Sequence, residues 1–346
     1  MAASKGSILL TGANGGLGSA TVAKILKSPE LESNYVGLYT VRKAASATQL
    51  KSTLANSSIH RHEILELDLG SLASVRKLAA DVNARVAKGD LPRIRALILN
   101  AGYQEHTTLT MSEDGFEMSW QVNYLANKLL TLLLLESMDP ENGRILLIGS
   151  WSHDIDDIRN TSGGNVPYQD PRWQDLFPEP ETLAKGRWST PQDDPHWYAG
   201  YRRYGASKLC EVMFTHELGH RIARDPKLCN ISVIGLDPGG MASDLGRRGS
   251  TYFRFMMKYV IPVVAPVLVW MKPNGELRTT AKSASDIIRA CFDIDPPKGK
   301  PLYLNGSEEW TAAKETRDQA KMKALWDYGI SAAAITEGDT NLANWR

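Results

Sequence analysis

The feature that most restricts what this chain can become is residues 8–18, I-L-L-T-G-A-N-G-G-L-G, an apolar run that breaks into a turn carrying Gly12, Gly15, Gly16 and Gly18. Residues 19–26, S-A-T-V-A-K-I-L, continue with apolar side chains at helical spacing, so the stretch reads as strand, glycine turn and helix. Glycines suit such a turn because the backbone must bend tightly, let a pyrophosphate approach, and let the new helix lie close on the strand. The free N–H groups and positive end of that helix then favour phosphate. A glycine turn alone is a weak signal, and the flanking strand and helix are the context that dinucleotide binding requires.

Composition narrows the class. A chain of 346 residues with 42% hydrophobic side chains can bury a sizeable core, and one α/β unit, residues 1–346, with an insertion is the expectation. Forty Lys and Arg balance thirty-nine Asp and Glu, a formal charge of +1, so no global field favours nucleic acid and anion binding must be local. Cys210, Cys229 and Cys291 are widely spaced with no metal-ligand pattern, which argues against structural zinc and a disulfide framework. With no signal-peptide pattern at the N-terminus, the expected compartment is cytoplasmic. Residues 259–271, Y-V-I-P-V-V-A-P-V-L-V-W-M, are apolar but too short to span a bilayer and are interrupted by Pro262 and Pro266. A buried or substrate-covering segment is favoured over contact with a membrane surface.

Residues 35–41 read as a second strand, with Arg42 and Lys43 after it. An acid at that point takes the ribose 2′-hydroxyl of NAD, whereas a cation accommodates the 2′-phosphate of NADP. No acid stands there, so NADP(H) is favoured over NAD(H), against the plainer reading of two solvated cations. Residues 64–69 form a third strand ending at Asp68 and Leu69; Asp68 on its own serves equally well as the cap of a helix beginning near Leu72. Residues 94–102 are a buried strand closing in Asn100, Ala101 and Gly102, at the strand end where open α/β sheets bind ligands, although Asn100 is also an ordinary turn former.

A long helix over 116–138 is apolar around much of its circumference and contains Asn123. The fifth strand, 143–150, ends at Ser150, with Ser152 as the competing hydroxyl. In 201–214, Y-R-R-Y-G-A-S-K-L-C-E-V-M-F, Tyr204 and Lys208 stand at i and i+4 on one helical face, whereas Tyr201 has no lysine four residues on. A free phenol titrates near 10, and a neighbouring ammonium favours its ionised form and brings it toward a working range. A sixth strand from 230 breaks at Pro238 and Gly239, a seventh covers 300–306, and a helix over 311–328 is anchored by Leu325 and Trp326. The tail after Gly338 is expected to be loosely ordered.

Thr11-Gly12-x-x-x-Gly16-x-Gly18, Asn100-Ala101-Gly102, the helical Asn123, the strand-end Ser150 and Tyr204-x-x-x-Lys208 occur in a fixed order. Together they resemble the short-chain dehydrogenase/reductase family over residues 5–306. The resemblance implies a doubly wound, Rossmann-like, mainly parallel sheet of seven strands with helices on both faces. It implies reversible hydride transfer between a nicotinamide cofactor and a ketone or secondary alcohol, with no metal. Catalytic roles fall on Tyr204 as acid–base, Ser150 as substrate-orienting hydroxyl, Lys208 on the ribose and the Tyr204 phenol, and Asn123 on a water relay. The cofactor would be held by Thr11, Gly12, Asn14, Gly15, Gly16, Leu17, Gly18, Arg42, Asp68, Leu69, Asn100, Ala101, Gly102, Tyr204, Lys208, Pro238, Gly239 and Ser243.

The chain departs from the compact family pattern between serine and tyrosine, where 151–203 form a long insertion rich in Pro, Asp and aromatics, suited to a lid or pocket wall. Residues 241–275 correspond to the variable substrate-covering region. The whole resembles long fungal members that tailor secondary metabolites, which implies a bulky, hydrophobic polyketide or terpenoid carbonyl substrate. The alternatives are a sterol or lipid ketoreductase at a membrane surface, a non-catalytic NADP-binding regulatory module and, disfavoured by the glycine spacing, a nucleotide-sugar epimerase. A monomer or a homodimer is expected, the latter through helices 116–138 and 204–220.

Overall fold

Strand β1, Gly6–Leu10, lies between β2, Tyr35–Val41, and β4, Ile94–Leu99, in a computed structural model that describes residues 4–161, 164–242, 255–297 and 299–346. Strands β3 (His62–Glu66), β5 (Arg144–Ile148), β6 (Ser232–Asp237), β7 (Leu302–Asn305) and β8 (Glu308–Glu309) complete one sheet in the order 3-2-1-4-5-6-7-8. The first seven strands pair in parallel and β8 returns antiparallel on β7. The sheet thus has eight strands where the sequence suggested seven; a two-residue strand carries no periodicity that could announce it.

Parallel strands covered on both faces read as continuous apolar runs, and β1 is buried at every position. Alternation assigns the faces. Leu9, Leu38, Leu97, Ile145 and Val233 join a core with helices Leu72–Lys88, Ala126–Leu134 and Tyr198–Ala223. Ile8, Leu10, Ile98, Leu146 and Ile234 join the opposite core under helices Gly16–Leu26 and Thr280–Ile288. The chain runs outward from β1 to β2 and β3 and then crosses back to β4 on the other side of β1, so the strand order reverses there, at the point where open α/β sheets bind ligands beyond the carboxyl ends of β1 and β4.

The insertion is packed rather than draped. Tyr168, Trp173, Phe177 and Trp188 are buried in the helix 198–223 core, Trp173 meets Trp188 edge to face at 5.8 Å, and the Arg202 guanidinium lies 4.3 Å from the Trp173 ring centre. Three sequence expectations change. Residues 259–271, expected to be buried or to cover substrate, are largely exposed, with Val263 at 73% and Trp270 at 84%, so burial in the core is ruled out for them. The tail after Gly338 is tied down: Leu342 is buried, Trp326 Nε1 donates to Trp345 O (2.7 Å), and Arg221 binds the carbonyls of Asn344 and Arg346. The cap of helix Leu72–Lys88 is Ser71, which accepts from Ser74 N, while Asp68 accepts from Gly70 N inside the preceding turn. The C-terminal helix runs Gln319–Ala332, with Leu325 and Trp326 buried as anchors.

Candidate active site

At Gly12 φ is +66°, the left-handed region that L side chains avoid, and a Cβ there would meet Ala101 Cα at 3.0 Å. A Cβ on Gly18 would come within 2.3 Å of Gly12 O. These two positions explain the glycines: one makes the turn and the other lets helix Gly16–Leu26 start directly over it. The helix begins behind Gly15 with no side-chain cap and no acid in its first turn, so its leading N–H groups are left for an anion. A dinucleotide phosphate fits that donor set.

Thr11 locks this turn to the next strand end. Its hydroxyl accepts from Asn100 N (2.9 Å) and Ala101 N (3.0 Å), and Asn100 Nδ2 donates to Thr11 O (2.8 Å). Asn100 is therefore a clamp between β1 and β4, with Gly102 beyond it. Asn14 holds the turn from the other side, its Oδ1 accepting from Leu50 N at 3.0 Å. Leu17 and Leu69 are buried. Arg42 and Asp68 are exposed at the ends of β2 and β3. Near Arg42, Glu66 on β3 accepts from Ala44 N (2.8 Å), an acid that reading β2 alone does not bring to this corner. Pro238 and Gly239 close β6, where Gly239 has φ +74° and its N donates to Asp237 Oδ1 (2.9 Å). Ser243 lies outside the described residues.

Ser150, Tyr204 and Lys208 come together. The Tyr204 phenol is buried, and the Ser150 side chain acts on its ionisation. Ser150 Oγ accepts from Ser152 Oγ (3.0 Å) and Ser152 N (3.3 Å), so the fully buried Ser152 stands behind it and Ser150 faces the tyrosine. Burial pushes the phenol above its ordinary range; the Ser150 side chain opposes this, and Glu211 and Asp237 add to the rise. This corrects the expectation that Lys208 brings the phenol down. Lys208 Nζ is 6.0 Å from the Tyr204 ring centre and donates to Ile148 O (2.7 Å) and Glu211 Oε2 (2.6 Å), which matches its charge. One of its three donors remains for a ribose.

Asn123 sits in a π-helical turn, Gln121–Leu125, between helices Met118–Trp120 and Ala126–Leu134. Such turns re-aim a side chain within a helix. Its amide accepts from Tyr103 N (2.8 Å) and donates to Tyr103 O and Ser207 Oγ (both 2.9 Å), which pins the loop after Gly102 to the tyrosine helix. The side chain is thus committed to protein groups, and its main-chain carbonyl accepts from Asn127 Nδ2 (3.0 Å).

Two residues escaped the sequence reading. Glu211 is buried three residues after Lys208, and burial pushes its carboxyl up to about 7 although Lys208 opposes the rise. Its distance from the tyrosine motif, within the same helix, was the available signal. His153 Nε2 accepts from Ala313 N (3.2 Å), so Nδ1 carries the proton and donates to Ser150 O (2.6 Å). Burial lowers the His153 pKa and keeps this neutral tautomer, fixing the backbone that bears Ser150. Nothing in sequence joins Ala313 to the serine strand.

A doubly wound parallel sheet whose strand ends gather a phosphate-ready glycine turn, a serine and a tyrosine–lysine helix defines a nicotinamide-dependent oxidoreductase fold. The short chain dehydrogenase family model matches residues 7–157. Over 99% of both chains, the sequence is 48% identical to the short-chain dehydrogenase iccH of Talaromyces variabilis. It is 27% identical to human retinol dehydrogenase 13, over 96% of this chain and 87% of the relative. Among solved structures, the landomycin C-6 ketoreductase LanV with bound NADP and rabelomycin superposes with a TM-score of 0.54 at 16% identity, covering 88% of this chain and 96% of the other. The chain belongs to the short-chain dehydrogenase/reductase family.

Proposed function

We propose that the protein interconverts a ketone and a secondary alcohol on a bulky hydrophobic substrate with NADP(H), a polyketide- or terpenoid-like intermediate being the best match. The observation that carries this is the pairing of the buried Tyr204 phenol with Ser150, whose side chain acts on its ionisation, one helical turn from Lys208. NADP(H), when bound, supplies or accepts the hydride. In the reductive direction Ser150 donates a hydrogen bond to the carbonyl oxygen, and Tyr204 transfers its proton to that oxygen as negative charge develops. The raised pKa of Tyr204 keeps that proton in place until then. Lys208, oriented by Ile148 O and Glu211, offers its remaining donor to the ribose and its charge to the forming phenolate. Asn123 is a positioning residue that holds the Tyr103 loop against Ser207.

Arg42 at the β2 end supports NADP(H) over NAD(H) through its charge. The substrate class rests on the family resemblance and on the length of the insertion 151–203, and the LanV neighbour, a landomycin C-6 ketoreductase with bound NADP and rabelomycin, agrees with it. Monitoring NADPH oxidation with a panel of polycyclic, terpenoid and small aliphatic ketones tests the reading. Faster turnover of the bulky members is expected; no consumption with any carbonyl or alcohol, in either direction, contradicts it.

A further inference from the structure

The π-helical turn Met256–Val260 runs into helix Ile261–Met271, and together they reverse the usual surface pattern. Met257, Ile261, Ala265 and Leu268, at steps of four and three, form the edge that is buried or half-buried. The opposite edge carries Phe255, Tyr259, Val263, Val267 and Trp270, between 54% and 84% exposed. A surface helix ordinarily turns polar residues outward, and a contiguous exposed apolar stripe of this size marks an interaction site.

Charge identifies the partner. Between Asp244 and Glu276 the sequence holds Arg247, Arg248, Arg254, Lys258 and Lys272 and no acid, in a chain whose formal charge is +1 overall. The three arginines lie outside the described residues and enter by sequence alone; Lys258 and Lys272 are exposed at the helix. A second copy of this chain, of formal charge +1, brings no net negative charge to meet this cationic run. An anionic lipid surface satisfies both features. Tyr259 and Trp270 have the apolar ring and polar tip that suit the headgroup boundary, and lysine stems reach past apolar surface to phosphate. Among the described residues no helix is long and apolar enough to cross a membrane, so the segment would lie on the bilayer.

We propose that helix 255–271 docks the protein on anionic phospholipid bilayers, its Phe255, Tyr259, Val263, Val267 and Trp270 edge in the headgroup–acyl boundary and Lys258 and Lys272 on lipid phosphates. The docking is independent of the chemistry assigned to the strand ends.

The test is flotation of the full chain with vesicles of phosphatidylcholine alone or with phosphatidylserine. The protein is expected to float with the serine-containing vesicles and far less with neutral ones. Val263→Glu/Trp270→Glu lowers the bound fraction at least tenfold, and Lys258→Ala/Lys272→Ala weakens binding about fivefold per cation removed. NADPH affinity and melting temperature stay at wild-type values in both variants, which shows that the fold is intact. Absence of flotation with either vesicle, or equal flotation of wild type and the glutamate variant, overturns the proposal. So does a wild-type dimer in light scattering that the glutamate variant abolishes without vesicle binding, which assigns the face to a second copy. A changed KM for a bulky ketone in vesicle-free solution, with no flotation, assigns it to a lid and likewise overturns docking.

Discussion

Arg159 offers the sharpest test of how the insertion is fastened to the site. Its guanidinium donates to both oxygens of Asp157 (2.8 and 2.6 Å), to Asp237 Oδ2 (2.6 Å) at the end of β6, and to Asn305 Oδ1 (3.2 Å) on β7, under the Trp151 ring at 5.1 Å. The side chains of both aspartates are only 1% exposed. Burial alone would push the Asp157 carboxyl up, but its hydrogen bonds and charge contact with Arg159 outweigh burial and hold it below the usual carboxylate range. Arg159→Met keeps most of the volume and takes from two buried carboxylates the cation that is hydrogen-bonded to both, a loss of about 3–5 kcal/mol. Unfolding entropy of ~2.1 cal/mol/K per residue over 346 residues is about 0.7 kcal/mol/K, so the melting temperature should fall by about 4–7 °C at pH 7.

The pH dependence has a definite sign. In the wild type, Asp157 has a depressed folded pKa, so its stabilisation is present above the unfolded value and is lost as pH falls through the folded one. In the variant, the stranded carboxylates prefer to be protonated, and acid relieves them. The gap between the two proteins therefore narrows from pH 7 toward pH 4. Scanning calorimetry across that range measures it. A shift under 1 °C at pH 7, or a gap that widens in acid, would refute the buried-network account.

Three further outcomes follow from the same structure. Burial lowers the His216 pKa to about 4, so its neutral form is favoured in the fold; stability should fall by up to about 3 kcal/mol as pH drops from 6.5 to 4, and His216→Gln should flatten that slope in denaturant titrations. Arg42→Ala should raise KM for NADPH about tenfold and leave that for NADH unchanged; equal effects on both would remove Arg42 from 2′-phosphate recognition. Glu211→Gln, by removing the buried carboxylate on Lys208, should abolish an inflection near pH 7 in the kcat profile while Glu211→Asp retains one; identical profiles for all three proteins would leave Glu211 a purely structural role.

What could be read from sequence was what a strand end or a helical repeat displays locally. The glycine turn, Asn100, Ser150 and the Tyr204–Lys208 spacing each sit where a β-strand stops or one helical face begins, and the fold brings those strand ends to one edge of the sheet by topology alone. Ser150 could be preferred to Ser152 because it closes the apolar run, and the structure turns it to Tyr204. Residues whose roles depend on distant partners gave no such sign. His153 answers to Ala313, Arg159 to Asp237 and Asn305, and Arg221 to the chain terminus, all across long stretches of sequence. Residues 259–271 show the limit of composition: apolarity states that a surface needs covering but not whether protein covers it. The pKa of Tyr204 followed from burial and from Glu211 matching the lysine, neither of which a four-residue spacing encodes.

The central claim is that Tyr204 delivers the proton to a carbonyl oxygen held by Ser150. Single-turnover reduction of the best panel ketone by enzyme preloaded with NADPH measures this directly, with NADPH affinity determined in parallel by fluorescence. Tyr204→Phe should slow the chemical step by about 10²–10⁴-fold with NADPH affinity within about twofold of wild type, and Ser150→Ala should slow it by a similar order. Reduction by Tyr204→Phe at the wild-type rate would contradict the account.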